Sequence, residues 1–312
     1  MSPEEPQKNT ADTGLARFDT ALQECAASIA SATVPIVALQ GDKFVHDRSG
    51  VLYRIGDRHL ILTASHAGRD GEHDMRAILH SDALHCVFPN SDGVLPVPLA
   101  APAGVLGTEV DGRDIAIIDL PKEAAAQIKQ HRRFIQHDEV LPADDNRACF
   151  YLLIGYPEAW SLRKNAQAFV HSDPLVFLLS RYTGEPGSES WHDPNVHLFF
   201  GFERDAVDLQ DRKRVELPEL FGISGCGIWR FTAQSDVGIK TASSNRLSLV
   251  AIQNRWHQRL NYVVATRVDW VLNRILDDYP ELERPMALKY IKNVPSNRIM
   301  VPKKGSMLFL PK

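Results

Sequence analysis

Cysteine is scarce and widely spaced in this chain of 312 residues. The four cysteines form no CxxC pair and stand at Cys25, Cys86, Cys149 and Cys226. Structural zinc sites need closely spaced ligand pairs, and disulfide-stapled domains are dense in cysteine. The spacing therefore excludes a zinc knuckle and predicts no disulfide framework.

Long hydrophobic runs are also absent. The run from Cys149 to Ile154 is among the longest, and it is far shorter than the roughly 18 apolar residues that span a bilayer. Residues 1–14 contain three acids, one lysine and no apolar stretch of the kind that a secretory signal requires. We expect no membrane partner and a cytoplasmic location.

Neither sign of charge is in excess. The chain has 35 basic and 39 acidic residues, which gives a net charge of −4 at neutral pH. A nucleic-acid-binding chain usually carries a basic surplus or a basic stripe. We therefore expect no nucleic-acid partner, and the 44% apolar content is typical of a globular protein with a core.

The N-terminal region changes character near residue 15. Residues 1–14 are polar and contain two prolines, which predicts a disordered tail. Over residues 15–31, apolar side chains recur at steps of three and four and so mark one face of a helix. These side chains are Leu15, Phe18, Leu22, Cys25 and Ile29.

Short β-rich segments broken by glycine, proline, asparagine and aspartate follow this helix. Such a pattern is typical of an antiparallel, all-β fold. The clearest hairpin joins the strands GVLYRI and HLILTA through Gly56 and Asp57, which have the chemistry of a tight turn. The second of these strands leads directly to a histidine.

The C-terminal part of the chain begins with a second predicted helix. Its apolar face consists of Val268, Val271, Leu272 and Ile275, and Pro280 marks its end. Residues 285–312 contain six basic residues and no acids, interleaved with apolar ones. Two interpretations stay open for this extension: it packs apolar side chains on the body with lysines in water, or it is a basic contact site.

Three short segments carry side chains that suit acyl transfer: TASH ending at His66, DIAI beginning at Asp114, and GISG containing Ser224. A serine hydroxyl is a poor nucleophile unless a neutral imidazole takes its proton. The imidazole needs a carboxylate that fixes its tautomer. Flanking glycines allow a tight turn whose backbone N–H groups converge on a developing oxyanion.

Two alternatives concern these segments. Asp111 competes with Asp114 as the carboxylate, although the apolar strand that directly follows Asp114 favours the latter. A zinc site could use histidines seven residues apart, but glycines interrupt the helix that this spacing would need. Those histidines are His66, His73 and His80, and we predict no metal and no cofactor.

The order His66, Asp114, Ser224 and the motifs around them resemble the trypsin/chymotrypsin-like serine peptidase family. The resemblance covers residues 32–278 and includes the strand end Gly155-Tyr156-Pro157, which is common in bacterial members. It implies two antiparallel six-stranded barrels with the site between them. The chain would then comprise the tail, the N-terminal helix, a peptidase domain over residues 32–284 and the basic extension.

The family pattern also implies residue roles. Ser224 would be the nucleophile, His66 the general base and then acid, and Asp114 the orienting carboxylate. The backbone N–H groups of Gly222 and Ser224 would bind the oxyanion. The floor of the substrate pocket would lie near Pro218 and Glu219, and an edge strand containing Ile252 and Gln253 would pair with the substrate backbone.

Three positions depart from the secreted members of this family. Ala67 stands where a disulfide cysteine is common, which fits a cytoplasmic protein. Ile223 stands where an aspartate often pairs with a freed N-terminus, so activation by that ion pair is not expected. Cys226 replaces a glycine.

The predicted function is that of a serine endopeptidase acting on a protein or peptide through an acyl-enzyme. Because a constantly active protease is hazardous in the cytoplasm, we expect a regulatory protein partner that gates the activity. Ten charged residues in residues 201–220 suggest a solvated loop before the nucleophile, or else substrate contact or cleavage at Arg212-Lys213-Arg214. The alternative function is a protease-like scaffold whose triad does not align.

Overall fold

The computed structural model of the chain is mostly β. It describes residues 10–40, 43–66, 84–90, 93–99, 105–108, 114–140, 150–164, 168–172, 174–187, 192–202, 205–207, 214–217, 219–231 and 247–282. Helices are few. The predicted C-terminal extension, residues 285–312, lies outside the described residues.

The first element is helix α1, Thr10–Ala30. It begins earlier than the predicted helix, so residues 10–14, which were expected in a disordered tail, are helical; residues 1–9 lie outside the described part. Along its C-terminal half, Leu22, Cys25 and Ile29 are buried, as the spacing predicted. The amphipathic face therefore docks on the body and is not a free surface.

The first half of the chain forms one antiparallel sheet of seven strands, in the order β5-β4-β1-β2-β3-β7-β6. The predicted hairpin is β2 and β3, with the turn at Gly56 and Asp57. The strands are β1 (Thr33–Gln40), β2 (Lys43–Ile55), β3 (Arg58–Ala64), β4 (Leu84–Asn90), β5 (Gly93–Pro98), β6 (Val105–Thr108) and β7 (Ile115–Asp119).

The second half forms a closed barrel of six antiparallel strands, in the order β11-β12-β17-β16-β15-β8. Its apolar side chains alternate inward because successive residues of a strand face opposite sides. The strands are β8 (Phe150–Gly155), β11 (Leu175–Arg181), β12 (His197–Gly201), β15 (Gly227–Phe231), β16 (Leu247–His257) and β17 (Tyr262–Arg267).

The prediction of two six-stranded barrels is thus confirmed for the second half of the chain only. In the described residues of the first half, β5 and β6 end the sheet and do not pair with each other. A closed barrel and a second antiparallel sheet are what the structure has.

Smaller elements complete the fold. Two short antiparallel pairs consist of β9 (Ser161–Lys164) with β10 (Ala168–Ser172), and β13 (Asp205–Val207) with β14 (Arg214–Glu216). The last pair occupies part of the charged segment before the nucleophile. Helix α2 (Lys122–Ile128) follows the first sheet. Helix α3 (Val268–Asp278) is the predicted C-terminal helix, and all four residues of its predicted apolar face are buried.

Three apolar clusters form the core. One lies within the first sheet and one within the barrel. The third lies between the two halves and contains residues from both, with Leu62 of β3 and Trp229 of β15 among them. Helices α1 and α3 contribute apolar side chains to this third cluster, so both helices stabilise the packing of the first sheet against the barrel.

Candidate active site

His66 lies where β3 ends, at the boundary between the two halves of the molecule. Strand β3 is held on both sides, by β2 and by β7. Residues 60–64 at its C-terminal end are fully buried, which fixes the direction in which the chain leaves the sheet. The imidazole of His66 itself is about a quarter exposed, at 28%.

Asp114 immediately precedes β7 and is buried. Antiparallel pairing of Ala64 with Ile115 brings the end of β3 next to the start of β7. Asp114 has φ +45°, a left-handed conformation that few residues besides glycine, asparagine and aspartate adopt. This backbone turn brings the carboxylate beside residues 65 and 66.

The carboxylate of Asp114 has four hydrogen-bond donors. Its Oδ1 atom accepts the backbone N–H of Ser65 at 3.0 Å, the Ser65 hydroxyl at 2.8 Å and the backbone N–H of His66 at 2.8 Å. Its Oδ2 atom lies 2.5 Å from Nδ1 of His66. Burial alone would raise the pKa of Asp114, but the hydrogen bonds and the adjacent imidazole outweigh it, and the pKa is lowered. Asp114 is therefore held as an anion.

Ser224 lies in a tight turn that enters β15. Gly222 and Gly225 have φ values of +87° and +89°, which only glycine adopts without strain. A Cβ atom on Gly225 would also lie 2.7 Å from the backbone nitrogen of Ala64 and closer still to Thr63 and Ser49. The turn is thus packed directly against β2 and against the end of β3, two residues before His66.

The Oγ atom of Ser224 lies 3.1 Å from Nε2 of His66. Since Nδ1 of His66 donates to Asp114, Nε2 is the acceptor for the Ser224 hydroxyl. The three predicted side chains thus form one continuous hydrogen-bonded chain across the boundary between sheet and barrel. Such a chain can move a proton from a hydroxyl to an imidazole whose positive charge a buried carboxylate stabilises.

The two predicted oxyanion donors lie in the same turn. Among the described residues, the backbone N–H groups of Gly222 and Ser224 donate to no other protein group. The carbonyl oxygen of Phe221 accepts the backbone N–H of Glu158 at 2.8 Å. The C=O and N–H of a trans peptide point in opposite directions, so this bond directs the Gly222 N–H away from Glu158.

The structure does not group the predicted substrate-binding residues into a substrate pocket among the described residues. Pro218 lies outside the described residues, and Glu219 is exposed. The expectation that Ile252 and Gln253 belong to an edge strand is wrong. Ile252 pairs with Gly227 of β15 and with Thr266 of β17, and Gln253 exchanges backbone bonds with Gly225 and Cys226. Closure of the barrel therefore uses the backbone groups that a substrate would need.

Of the three positions that depart from the pattern of the family that the sequence resembles, two are described by the structure, and both are apolar and buried. Ile223 and Cys226 are both 0% exposed and belong to the barrel core. Burial raises the pKa of the Cys226 thiol, so this thiol is not a nucleophile at neutral pH. Ala67 lies outside the described residues.

Three polar residues of β2 that were not predicted from the sequence are buried at this boundary: His46, Arg48 and Ser49. Nε2 of His46 and Oγ of Ser49 each donate to the Gly222 carbonyl at 3.0 Å. A guanidinium nitrogen of Arg48 donates to the carbonyl of Ala64 at 2.8 Å. The available signal was the polar run His46-Asp47-Arg48-Ser49 inside an otherwise apolar central strand.

His46 is almost completely enclosed by this arrangement. Burial lowers the pKa of its imidazole, and the hydrogen bond to Gly222 and the nearby acids oppose that effect only in part. A Cβ atom on Gly222 would lie within 2.8 Å of the Glu158 nitrogen and nearer still to the His46 ring. The imidazole of His46 is therefore packed directly against the turn that carries Ser224.

Several other predictions fall on residues that the structure does not describe: Asp111, His73, His80, Arg212 and Lys213. Within the described segments, no three His, Cys, Asp or Glu side chains are grouped so that they could hold a metal ion. Of the helices in those segments, none combines the length and the apolar character needed to cross a bilayer.

Comparison with known proteins gives no family. No protein-family model matches the chain, and no curated protein does. One similar solved structure comes from work on the coupled folding and binding of the Sesbania mosaic virus VPg protein, with TM-score 0.41, 10% identity, and coverage of 79% of this chain and 90% of the other. Another is the thermostable serine protease AL20 from an extremophilic microorganism, with TM-score 0.39, 11% identity, and coverage of 78% and 92%. At these scores the similarities assign neither family nor activity.

Proposed function

We propose that this chain is a serine endopeptidase of the trypsin/chymotrypsin-like type, with its site between the first sheet and the closed barrel. The observation that carries the proposal is the hydrogen-bonded chain from Asp114 through His66 to Ser224. It joins side chains 48 and 158 residues apart in sequence, at 2.5 Å and 3.1 Å. An arrangement that needs two separate parts of the fold to meet is not a by-product of local sequence.

In the first half of the proposed reaction, the Ser224 hydroxyl attacks the carbonyl carbon of a peptide bond. Nε2 of His66 takes the hydroxyl proton, and Asp114 stabilises the resulting imidazolium through Nδ1. The carbonyl oxygen becomes an oxyanion that accepts from the backbone N–H groups of Gly222 and Ser224. Collapse of this intermediate breaks the C–N bond, and His66 returns the proton to the leaving amine.

In the second half, water replaces the amine. His66 takes a proton from this water, whose oxygen attacks the ester carbonyl of the acyl-enzyme. A second oxyanion forms in the same position, and its collapse releases the new carboxyl end and restores the Ser224 hydroxyl. Every step uses groups of this chain and requires no cofactor.

The proposed substrate is a protein or peptide, and a regulatory protein partner is proposed to control access to it. Residues 201–220, the charged segment before the nucleophile, are the proposed place of contact. Cleavage of unfolded casein by the purified chain, measured with and without cell lysate, tests this control. A rate that lysate does not change would contradict a partner-gated enzyme.

The second candidate is a protease-like scaffold with a triad that does not align. The distances around His66 favour the enzyme, because a scaffold has no need of an anionic Asp114 buried behind an imidazole that meets a serine. Burying a charge without a function is costly.

Fluorophosphonate labelling of the purified protein, read by intact mass, tests the proposed function. We expect one adduct on the wild type and none on Ser224→Ala or His66→Ala. Ser180→Ala, which removes an exposed serine of β11, is the matched control and should keep the adduct. An adduct that persists in Ser224→Ala would refute the assignment of the nucleophile, and no adduct on the folded wild type, with or without cell lysate, would favour the scaffold.

A further inference from the structure

Ser49 is a fully buried serine in the middle of β2, and it contacts three other segments that build the site. Its backbone N–H donates to the carbonyl of Ser224 at 2.9 Å. Its backbone carbonyl accepts the Thr63 hydroxyl of β3 at 2.6 Å. These two bonds join the nucleophile turn to β3, the strand that leads to His66.

The side chain of Ser49 makes a second pair of bonds. Its Oγ atom accepts the backbone N–H of Tyr156 at 2.9 Å and lies 3.0 Å from the carbonyl oxygen of Gly222. Because a backbone N–H can only donate and a carbonyl can only accept, the single hydroxyl proton must point to Gly222. The hydroxyl therefore connects the end of β8 to the turn.

The Gly222 carbonyl determines how the turn presents its N–H groups. A glycine at φ +87° has no side chain that favours one peptide orientation over another, so hydrogen bonds must select it. The Phe221 carbonyl is held by Glu158, and the Gly222 carbonyl by Ser49 and His46. The peptides on both sides of Gly222 are thus fixed.

We propose that Ser49 is a positioning residue that holds the oxyanion-binding turn in its productive orientation through its hydroxyl. This inference rests on the proposed function. Ser49 is buried behind the turn and touches the carbonyl side of the Gly222–Ile223 peptide, so it acts through the turn and not on the substrate. Its loss should lower the rate of the chemical step and leave substrate binding unchanged.

His46 limits the size of the effect. It donates to the same carbonyl from Nε2, so one donor remains when the Ser49 hydroxyl is removed. Loss of a complete oxyanion donor costs about 10²–10³-fold in turnover in another serine protease. For the loss of one of the two side-chain hydrogen bonds to the Gly222 carbonyl, which orient the turn and not a donor directly, we expect a smaller fall in kcat, of about tenfold, and a larger fall when His46→Phe is added.

The test compares Ser49→Ala with Thr33→Val in the full-length chain. Thr33 is an equally buried hydroxyl of the same sheet that donates to Ile29, away from the turn, so it controls for the loss of a buried hydrogen bond. The readouts are kcat and KM on a peptide ester, and the inhibition constant of a peptide aldehyde, whose adduct places an oxyanion at the turn. Ser49→Ala should lower kcat and raise the inhibition constant of the aldehyde by a similar factor, without changing KM. Thr33→Val should change none of these three quantities.

The conservative variant supplies a rescue. Ser49→Thr keeps the hydroxyl and should recover most of the lost kcat. If Ser49→Ala does not fold, Ser49→Cys keeps the shape of the side chain with a somewhat larger atom that donates only weakly, and it should show the same fall.

The outcomes separate the two proposals. A labelled, active wild type with unchanged kcat and aldehyde affinity in folded Ser49→Ala would overturn the role of Ser49 and leave the proposed function intact. A rise in KM as large as the fall in kcat would also overturn it, because that result indicates general disruption. A folded wild type that takes no fluorophosphonate, with or without cell lysate, would overturn the proposed function and this inference with it.

Discussion

Asp114 holds His66 at two points. Its Oδ1 atom accepts the backbone N–H of His66 at 2.8 Å, and its Oδ2 atom lies 2.5 Å from the ring nitrogen Nδ1. One carboxylate thus fixes both the main chain and the imidazole of the same residue. The ring cannot rotate away from Ser224 without breaking the second bond, and the chain cannot shift without breaking the first.

Replacing the carboxylate by its amide, Asp114→Asn, should keep the fold and remove most of the activity. The Asn side-chain oxygen can still accept from Ser65 and from the His66 N–H, but its NH₂ group donates towards Nδ1. The imidazole then carries its proton on Nε2, where it cannot accept the Ser224 proton. We expect kcat to fall about 10⁴-fold, the scale of the same change in another serine protease, at an unchanged thermal midpoint.

Asp111→Asn is the control for this variant. Asp111 is the rival carboxylate from the sequence, and it should be replaceable without loss of kcat. A fall in kcat in Asp111→Asn with none in Asp114→Asn would show that the carboxylate has been misassigned.

Gly225→Ala should destabilise the whole molecule. The alanine would adopt φ +89° with its Cβ against the backbone of Ala64 and Ser49, and neither strand can move without disturbing the sheet. We expect a loss of about 3 kcal/mol in the free energy of unfolding, measured by urea denaturation. Gly187→Ala is the comparison, because its Cβ would meet ordinary contacts at 3.5 Å, and equal stability of the two variants would contradict the packing described.

The buried His46 should make the protein less stable below neutral pH. Since burial lowers its pKa from 6.5 in the folded state, the unfolded chain binds the proton more readily. The stability contributed by neutral His46 is therefore complete above about pH 6.5 and is lost as the pH falls towards the lowered value. His46→Gln should show a smaller loss of unfolding free energy between pH 7 and pH 5 than the wild type, and parallel losses would contradict this account.

Arg58 links the hairpin to the residues that directly follow the C-terminal helix. Its guanidinium lies 2.5 Å from Asp119 and 2.8 Å from Glu281, and it covers the ring of Tyr279 at 4.1 Å. Because Arg58 is about a third exposed, solvent weakens these pairs, and Arg58→Gln should cost only about 0.5–1 kcal/mol, less in high salt. Arg54→Gln, which loses a bond to the Gly56 carbonyl, should cost less, and equal costs for the two variants would contradict a stabilising link to the residues after α3.

Local patterns predicted the local elements well. The alternation and turn residues around Gly56 gave the hairpin of β2 and β3, and the spacing of Val268 and Ile275 gave the buried face of α3. The start of α1 was placed too late, because its first turn is polar and apolar spacing gives no signal there. The predicted edge strand at Ile252 was wrong, because strand order depends on pairing between distant segments and cannot be read from the sequence of a single strand.

The sequence by itself determined which side chains were available for chemistry: His66 after an apolar strand, Asp114 before one, and Ser224 among glycines. Only the tertiary structure decided that they meet, because their contacts join segments that are far apart along the chain and depend on how the sheet packs against the barrel. The same packing decided the surroundings of the turn, where Ser49 and His46 lie 173 and 176 residues from the Gly222 carbonyl that they hold. A buried polar group must find a partner, and that partner is fixed by three-dimensional proximity and not by spacing in the sequence.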